Sequence, residues 1–180
     1  MIRTRVGYAG GSTPDPTYYN LGDHTETVQI DFDPSQISYR DLLDVFWAAH
    51  NPTRPARSCQ YKSVVFYHDM EQKRLAEETR DQRAAEWGRE VFTEIVPVPQ
   101  FYRAENYHQK YYLQNVPAIA TDLRARFPDH DAFVDSTAAA RVNGYLGGHG
   151  TCEELQATID DLELSEPSDE MLVGIVCRGR

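Results

Sequence analysis

Between residues 25 and 32 apolar and polar side chains alternate, with Glu26, Val28, Ile30 and Phe32 on one face and Thr25, Thr27, Gln29 and Asp31 on the other. The pattern predicts a strand that sends Glu26 towards the core, just after His24, and a carboxyl partly withdrawn from water favours its protonated form. Tyr18 and Tyr19 lie in the Pro-containing loop before it, and Tyr61 follows Cys59 and Gln60 at the start of a β-branched and aromatic stretch. Phenols and a protonated carboxylic acid are hydrogen-bond donors, so Glu26, Tyr18 and Tyr61 together suit a polar oxygen in an otherwise apolar pocket. Each also has a plainer role, as a strand-end glutamate in water or as half-buried tyrosines among the 11 of the chain. Cys59, two residues from Tyr61, shares its face if the stretch is a strand, which leaves open a nucleophile, a resolving thiol or a small buried residue. Arg57 and Lys62 are the neighbouring cations that would favour its thiolate.

The elements that must position these groups are legible in outline. Residues 2–8 alternate as a strand, which Gly10, Gly11, Pro14 and Pro16 turn into a loop. Asp33 and Pro34 end the second strand, and Ser38 with Asp41 three residues on starts a capped helix whose Leu42, Leu43, Phe46, Trp47 and His50 share a face. Residues 61–67 read as a strand, 71–88 as a charged helix, 91–98 as a strand and 104–114 as a helix. Strand, strand, helix, strand, helix, strand is an α+β order, that of a ferredoxin-like two-layer sandwich lacking its first strand and helix. Beyond Pro117, residues 119–127, 132–145 and 153–164 read as short helices, the last with Thr151 and Glu154 as a capping box, and residues 165–170 as a surface turn. This divides the chain into a domain over 1–116 and a helical C-terminal extension over 117–180.

With 180 residues, 41% of them hydrophobic, the chain can bury one ordinary core. A formal charge of −10 repels phosphate backbones and anionic lipid, so neither nucleic acid nor a membrane surface is expected as the partner. No apolar run reaches the roughly 18 residues a bilayer span requires, and no secretory leader pattern opens the chain, which points to a cytoplasmic protein. Cys59, Cys152 and Cys177 form no CxxC pair, so neither a disulfide framework nor a zinc site is expected. His149, among Gly147, Gly148 and Gly150, has no partner at metal spacing and reads as a loop residue; Lys73, Arg74 and Arg80 read as a solvated helix face paired with glutamates.

Several spaced motifs carry a more specific likeness. Arg5-Val6-Gly7-Tyr8-Ala9-Gly10-Gly11, followed by Thr13-Pro14-Asp15-Pro16-Thr17-Tyr18, resembles the glycine-rich loop of A-type peptide methionine sulfoxide reductases. His24-Thr25-Glu26 resembles their His-Ala-Glu segment, and Phe32-Asp33-Pro34-Ser35 through His50-Asn51-Pro52 resembles the helix and turn after it. Gln60-Tyr61-Lys62-Ser63 is similar to Gln-Tyr-Arg-Ser, and Phe101-Tyr102-Arg103-Ala104-Glu105-Asn106-Tyr107-His108-Gln109 matches Phe-Tyr-x-Ala-Glu-x-Tyr-His-Gln. The resemblance covers residues 2–115, and motifs in the right order weigh more than any one of them.

It implies thiol-dependent reduction of methionine S-sulfoxide, free or in peptides, with Glu26 as the acid and Tyr18 and Tyr61 as the oxygen-binding phenols. It implies no metal or organic cofactor, only an external thiol reductant such as thioredoxin, and chemistry that reverses methionine oxidation. Three departures stand out. The family's nucleophile lies in a Gly-Cys-Phe-Trp-Gly motif that precedes the segment resembling Ile2-Arg3-Thr4-Arg5 and is not in this sequence, which implies a start upstream of Met1 or, in its place, a binding or interaction module unable to reduce sulfoxides. The aspartate usual before Gln60-Tyr61 is replaced within Pro55-Ala56-Arg57-Ser58-Cys59, and nothing after Pro117 matches the usual tail, so Cys152 and Cys177 take no assigned role.

Overall fold

The computed structural model describes residues 2–178 and is a mixed α and β fold. Strands β1 (Arg3–Ala9), β2 (Thr25–Asp31) and β5 (Tyr102–Arg103) form a sheet in the order β2-β1-β5. β5 runs antiparallel to β1 with Gly7 opposite Arg103 and Tyr8 opposite Tyr102. Position 7 must be glycine for this approach, because a Cβ there would lie 2.3 Å from the Tyr102 carbonyl oxygen.

Strands β3 (Val64–Tyr67) and β4 (Glu94–Pro97) pair in parallel as a separate sheet, Val64 opposite Glu94 through Tyr67 opposite Pro97. Parallel neighbours need a crossover, and helix α2 (Met70–Trp87) supplies it. α2 ends where Gly88 adopts the left-handed conformation and returns its N–H to Ala84 and Ala85. Helix α1 (Tyr39–Ala48) starts at the expected capping box: the Ser38 side chain accepts from the Asp41 N–H and the Asp41 carboxylate accepts from the Ser38 N–H. Leu43 and Trp47 of α1 are buried with Val65 and Ala76 in one core cluster. The Trp47 indole N–H, which burial obliges to find an acceptor, donates to Thr79 Oγ1 at 3.0 Å. The expected solvated face of α2 is present, with Lys73 paired to Glu77 and Arg74 to Glu71 and Glu78, while Arg80 pairs with Asp81 in place of a glutamate.

The chain divides into two compact units, one built from Val6–Val28 and Phe32–Ala104, the other from the start of β1, Gln29–Asp31 and the chain from Glu105 onward. The second is helical: α3 (Tyr111–Gln114), α4 (Pro117–Arg126), α5 (His130–Asp135), α6 (Thr137–Leu146), α7 (Cys152–Thr158) and α8 (Glu166–Cys177). Ile119, Leu123, Phe133, Val142, Leu155 and Leu172 belong to its buried core.

Four expectations for this part of the chain are corrected. The helix expected over 104–114 is reduced to α3, because Lys110 before it sits at φ +50°, outside helical space. The stretch 132–145 is two helices: Ser136, extended at φ −70° and ψ 137°, closes α5 and caps α6 by accepting the Ala139 N–H. The surface turn expected at 165–170 is the start of α8, whose preceding Ser165 donates its N–H and hydroxyl to the Asp122 carboxylate at 2.7 and 2.8 Å. Cys152 and Cys177, for which no disulfide was expected, are joined in one with Cα atoms 4.8 Å apart. The helical fold brings residues 25 positions apart together, which no local spacing announces.

Candidate active site

The glycine-rich loop after β1 is held by the side chains of the two residues just before β2, Asp23 and His24. His24 is buried, its ring edge-on to Tyr102 at 5.4 Å between centroids. Its Nδ1 accepts the Gly11 N–H at 3.2 Å and its Nε2 lies 2.8 Å from the Thr13 carbonyl oxygen. A carbonyl can only accept, so Nε2 carries the proton and the ring is neutral. Asp23 takes the Ser12 and Thr13 N–H groups at 2.9 and 3.1 Å, and both hydroxyls at 2.9 Å. These donors, the Ser12 N–H first, hold its carboxyl well below the ordinary carboxylate range.

Between these feet the loop makes a tight turn. The Asn20 N–H donates to the Thr17 carbonyl at 3.0 Å and the Thr17 N–H donates back to the Asn20 carbonyl at 3.3 Å. Tyr18 and Tyr19 occupy its tip, their rings edge to face at 5.5 Å. Tyr18 is partly and Tyr19 almost wholly exposed.

Two hydrogen bonds fasten the start of β2 to the segment carrying the other candidates. The Thr25 hydroxyl donates to the Cys59 carbonyl at 2.9 Å, and the Gln60 amide donates to Glu26 Oε1 at 2.7 Å. Tyr61 lies next in the chain, 66% exposed, and Cys59 is an exposed free thiol. The cation beside them, Lys62, is committed elsewhere: its Nζ is 2.8 Å from Glu94 Oε1, a contact that raises its pKa. In the turn after α1, His50 Nδ1–H donates to the Phe46 carbonyl at 2.9 Å and Nε2 lies 2.7 Å from the Ser63 hydroxyl oxygen.

Two readings of these residues need correction. Glu26 does not face the core: Thr25 is buried whereas Glu26 is exposed and Val28 is 54% exposed, so the polar-looking face of β2 is the more covered one. Cys59 and Tyr61 do not share a strand face, because Cys59–Tyr61 is a single 3₁₀ turn and β3 starts only at Val64. At three residues per turn, positions two apart are about 240° apart. Glu26 is joined to the turn holding Cys59 and Tyr61, while Tyr18 sits at the tip of the loop anchored by Asp23 and His24. Sequence reasoning gave Asp23, Thr25 and Gln60 no role. The available signal was their adjacency to His24, Glu26 and Tyr61.

The chain's likeness to known proteins bears on this site. Residues 1–150 match the family described as peptide methionine sulfoxide reductase, and residues 130–177 match the helical domain of selenoprotein methionine sulfoxide reductase A. The chain is 42% identical over 171 residues to a peptide methionine sulfoxide reductase of Drosophila melanogaster, covering 92% of this chain and 67% of that protein. It is 39% identical over 171 residues to peptide methionine sulfoxide reductase A5 of Oryza sativa subsp. japonica, covering 90% of this chain and 66% of that one. Among solved structures it resembles reduced Mxr1 from Saccharomyces cerevisiae, with a TM-score of 0.57 and 30% identity over 63% of this chain and 71% of that one. It also resembles methionine sulfoxide reductase A of Corynebacterium diphtheriae, with a TM-score of 0.54 and 32% identity over 63% of each chain. The chain spans about two thirds of the length of the curated relatives in Drosophila and rice.

Proposed function

Because this chain belongs to the peptide methionine sulfoxide reductase family and is by family a reductase of peptide methionine sulfoxide, we propose that Glu26, Tyr18 and Tyr61 bind and protonate the oxygen of a methionine S-sulfoxide during its thiol-dependent reduction. The observation that carries this reading is the Gln60 to Glu26 hydrogen bond at 2.7 Å, which fixes the carboxyl beside the turn bearing Tyr61 and leaves its second oxygen for substrate. A thiolate attacks the sulfoxide sulfur, the S–O bond breaks, and the oxygen leaves on the thiol as a sulfenic acid while methionine is released. Glu26 donates the proton that neutralises the developing oxyanion and the two phenols share its charge. A second thiol condenses with the sulfenic acid, expelling water and forming a disulfide, which an external dithiol such as thioredoxin reduces. No resident cofactor takes part.

The attacking thiol in this scheme is the one the family carries in its Gly-Cys-Phe-Trp-Gly motif, outside these 180 residues, with Cys59 as the substitute or resolving thiol within them. A second reading takes these residues as a module that recognises sulfoxides without reducing them. We further read residues 1–116 as the catalytic portion, ferredoxin-like in its strand and helix order, residues 117–180 as its helical extension, and the setting as repair of oxidised proteins in the cytoplasm.

The test compares reduction of S- and R-epimers of a methionine sulfoxide peptide with dithiothreitol by three proteins: the 180-residue chain, its Cys59→Ser variant, and a version carrying the motif ahead of Ile2. We expect S-selective turnover in the third that Glu26→Gln lowers by about 100-fold or more. Turnover by the 180-residue chain that Cys59→Ser abolishes would make Cys59 the nucleophile. Binding without turnover in all three would establish the second reading, and neither binding nor turnover would sink both.

A further inference from the structure

The loop from Ser12 to Leu21 is closed by contacts that touch neither Glu26 nor Tyr61. On one side stand Gly11, Ser12 and Thr13; on the other Gly22, Asp23 and His24. Asp23 receives every N–H and hydroxyl that Ser12 and Thr13 offer, and buried His24 takes the Gly11 N–H and gives its own N–H to the Thr13 carbonyl. The two strands of the closure are also pressed together without space between them. Gly22 has φ +62°, and a Cβ there would lie 2.0 Å from Thr13 Oγ1, while a Cβ at Gly11 would lie 2.6 Å from Asp23 Oδ1. The first position needs glycine on both conformational and steric grounds, the second on steric ones. The segment so enclosed is exposed apart from a few positions and ends in the two-residue tip where Tyr18 sits.

We propose that Asp23 and His24 are positioning residues for the sulfoxide-binding phenol: they clasp the feet of the loop and thereby set the direction of Tyr18, without touching substrate. This rests on the assignment of Tyr18 above. Ordering of the loop before substrate arrives removes its conformational entropy from the binding step, so the clasp acts on affinity. His24 contributes both ring nitrogens and tolerates no simple replacement: Gln retains only the donor to Thr13, Asn only the acceptor for Gly11. Asp23 lies in water and its removal leaves the core untouched, which makes it the position on which the idea is best tested.

The experiment is a double-mutant cycle on binding of a methionine S-sulfoxide peptide by the full chain, measured calorimetrically for the parent, Asp23→Ala, Tyr18→Phe and the double variant. Asp23→Ala should weaken binding by about 10-fold in the parent and leave it unchanged in the Tyr18→Phe background, because its effect passes through that hydroxyl. Equal losses in both backgrounds, or none in either, would overturn the proposal. Nuclear magnetic resonance of the same proteins separates this from failure of the functional reading. If the parent binds no sulfoxide, Asp23→Ala must still shift the Tyr18 ring signals and speed amide exchange at Ser12 and Thr13, and unmoved signals would refute the clasp. His24→Gln provides the graded case, with a loss no larger than that of His24→Ala if both fold.

Discussion

Glu26 illustrates how much a single side chain's chemistry depends on what lies over it. Its carboxyl is exposed and anchored through one oxygen by Gln60, so the acid role we propose for it would rest on orientation and not on burial. Lys110 is the opposite case. It is 5% exposed, and its Nζ donates to the Thr4 carbonyl at 2.6 Å and the Thr4 hydroxyl at 2.9 Å. Burial lowers its pKa from 10.5 to about 8, helped by Arg5 and opposed by Asp135. Between those values the unfolded chain holds the proton that the folded one has released, so stability rises with pH across that window. Urea unfolding at pH 7.5 and 9.5 should show a gain on the order of 2 kcal/mol in the parent that is absent in Lys110→Met. An equal gain in both would mean that other groups set the slope.

At the level of elements, helix α8 is held at both ends as well as along its apolar face. Ser165 before its first turn binds Asp122, Leu172 is buried in the helical core, and Cys177 at its last position is bonded to Cys152 at the start of α7. Both cysteines are partly exposed, so a reductant can reach them. Closing a loop of 25 residues restricts the unfolded chain by an amount worth about 3 kcal/mol. Paired Cys152→Ser and Cys177→Ser substitutions should therefore lower unfolding stability by about 3 kcal/mol, read by circular dichroism in denaturant. A loss below about 0.5 kcal/mol would mean that apolar packing and the Ser165 contact hold α8 without the bridge. No helix among the described residues is long and apolar enough to cross a membrane.

For the whole molecule, the charge of −10 and an isoelectric point near 5.0 set colloidal behaviour. Repulsion between copies fades as carboxylates gain protons, so turbidity at fixed concentration should peak near pH 5 and fall on either side; a peak elsewhere would place the folded charge balance outside what composition gives. The sequence by itself determined what local rules control. Ser38 and Asp41 announce the start of α1, Thr151 and Glu154 that of α7, Gly88 the end of α2, and the motifs around Tyr18, Glu26 and Tyr61 place the chain in its family, because each depends on neighbours within a few residues. Tertiary structure alone decided which face of β2 is covered, since alternation separates two faces without saying what arrives from elsewhere to bury one. It likewise decided the 3₁₀ turn at Cys59, the left-handed Lys110, the clasp of Asp23 and His24 on Ser12 and Thr13, and the union of Cys152 with Cys177. In each of these the deciding partner is distant in sequence or the backbone is held by packing, and neither is encoded in the spacing of residues along the chain.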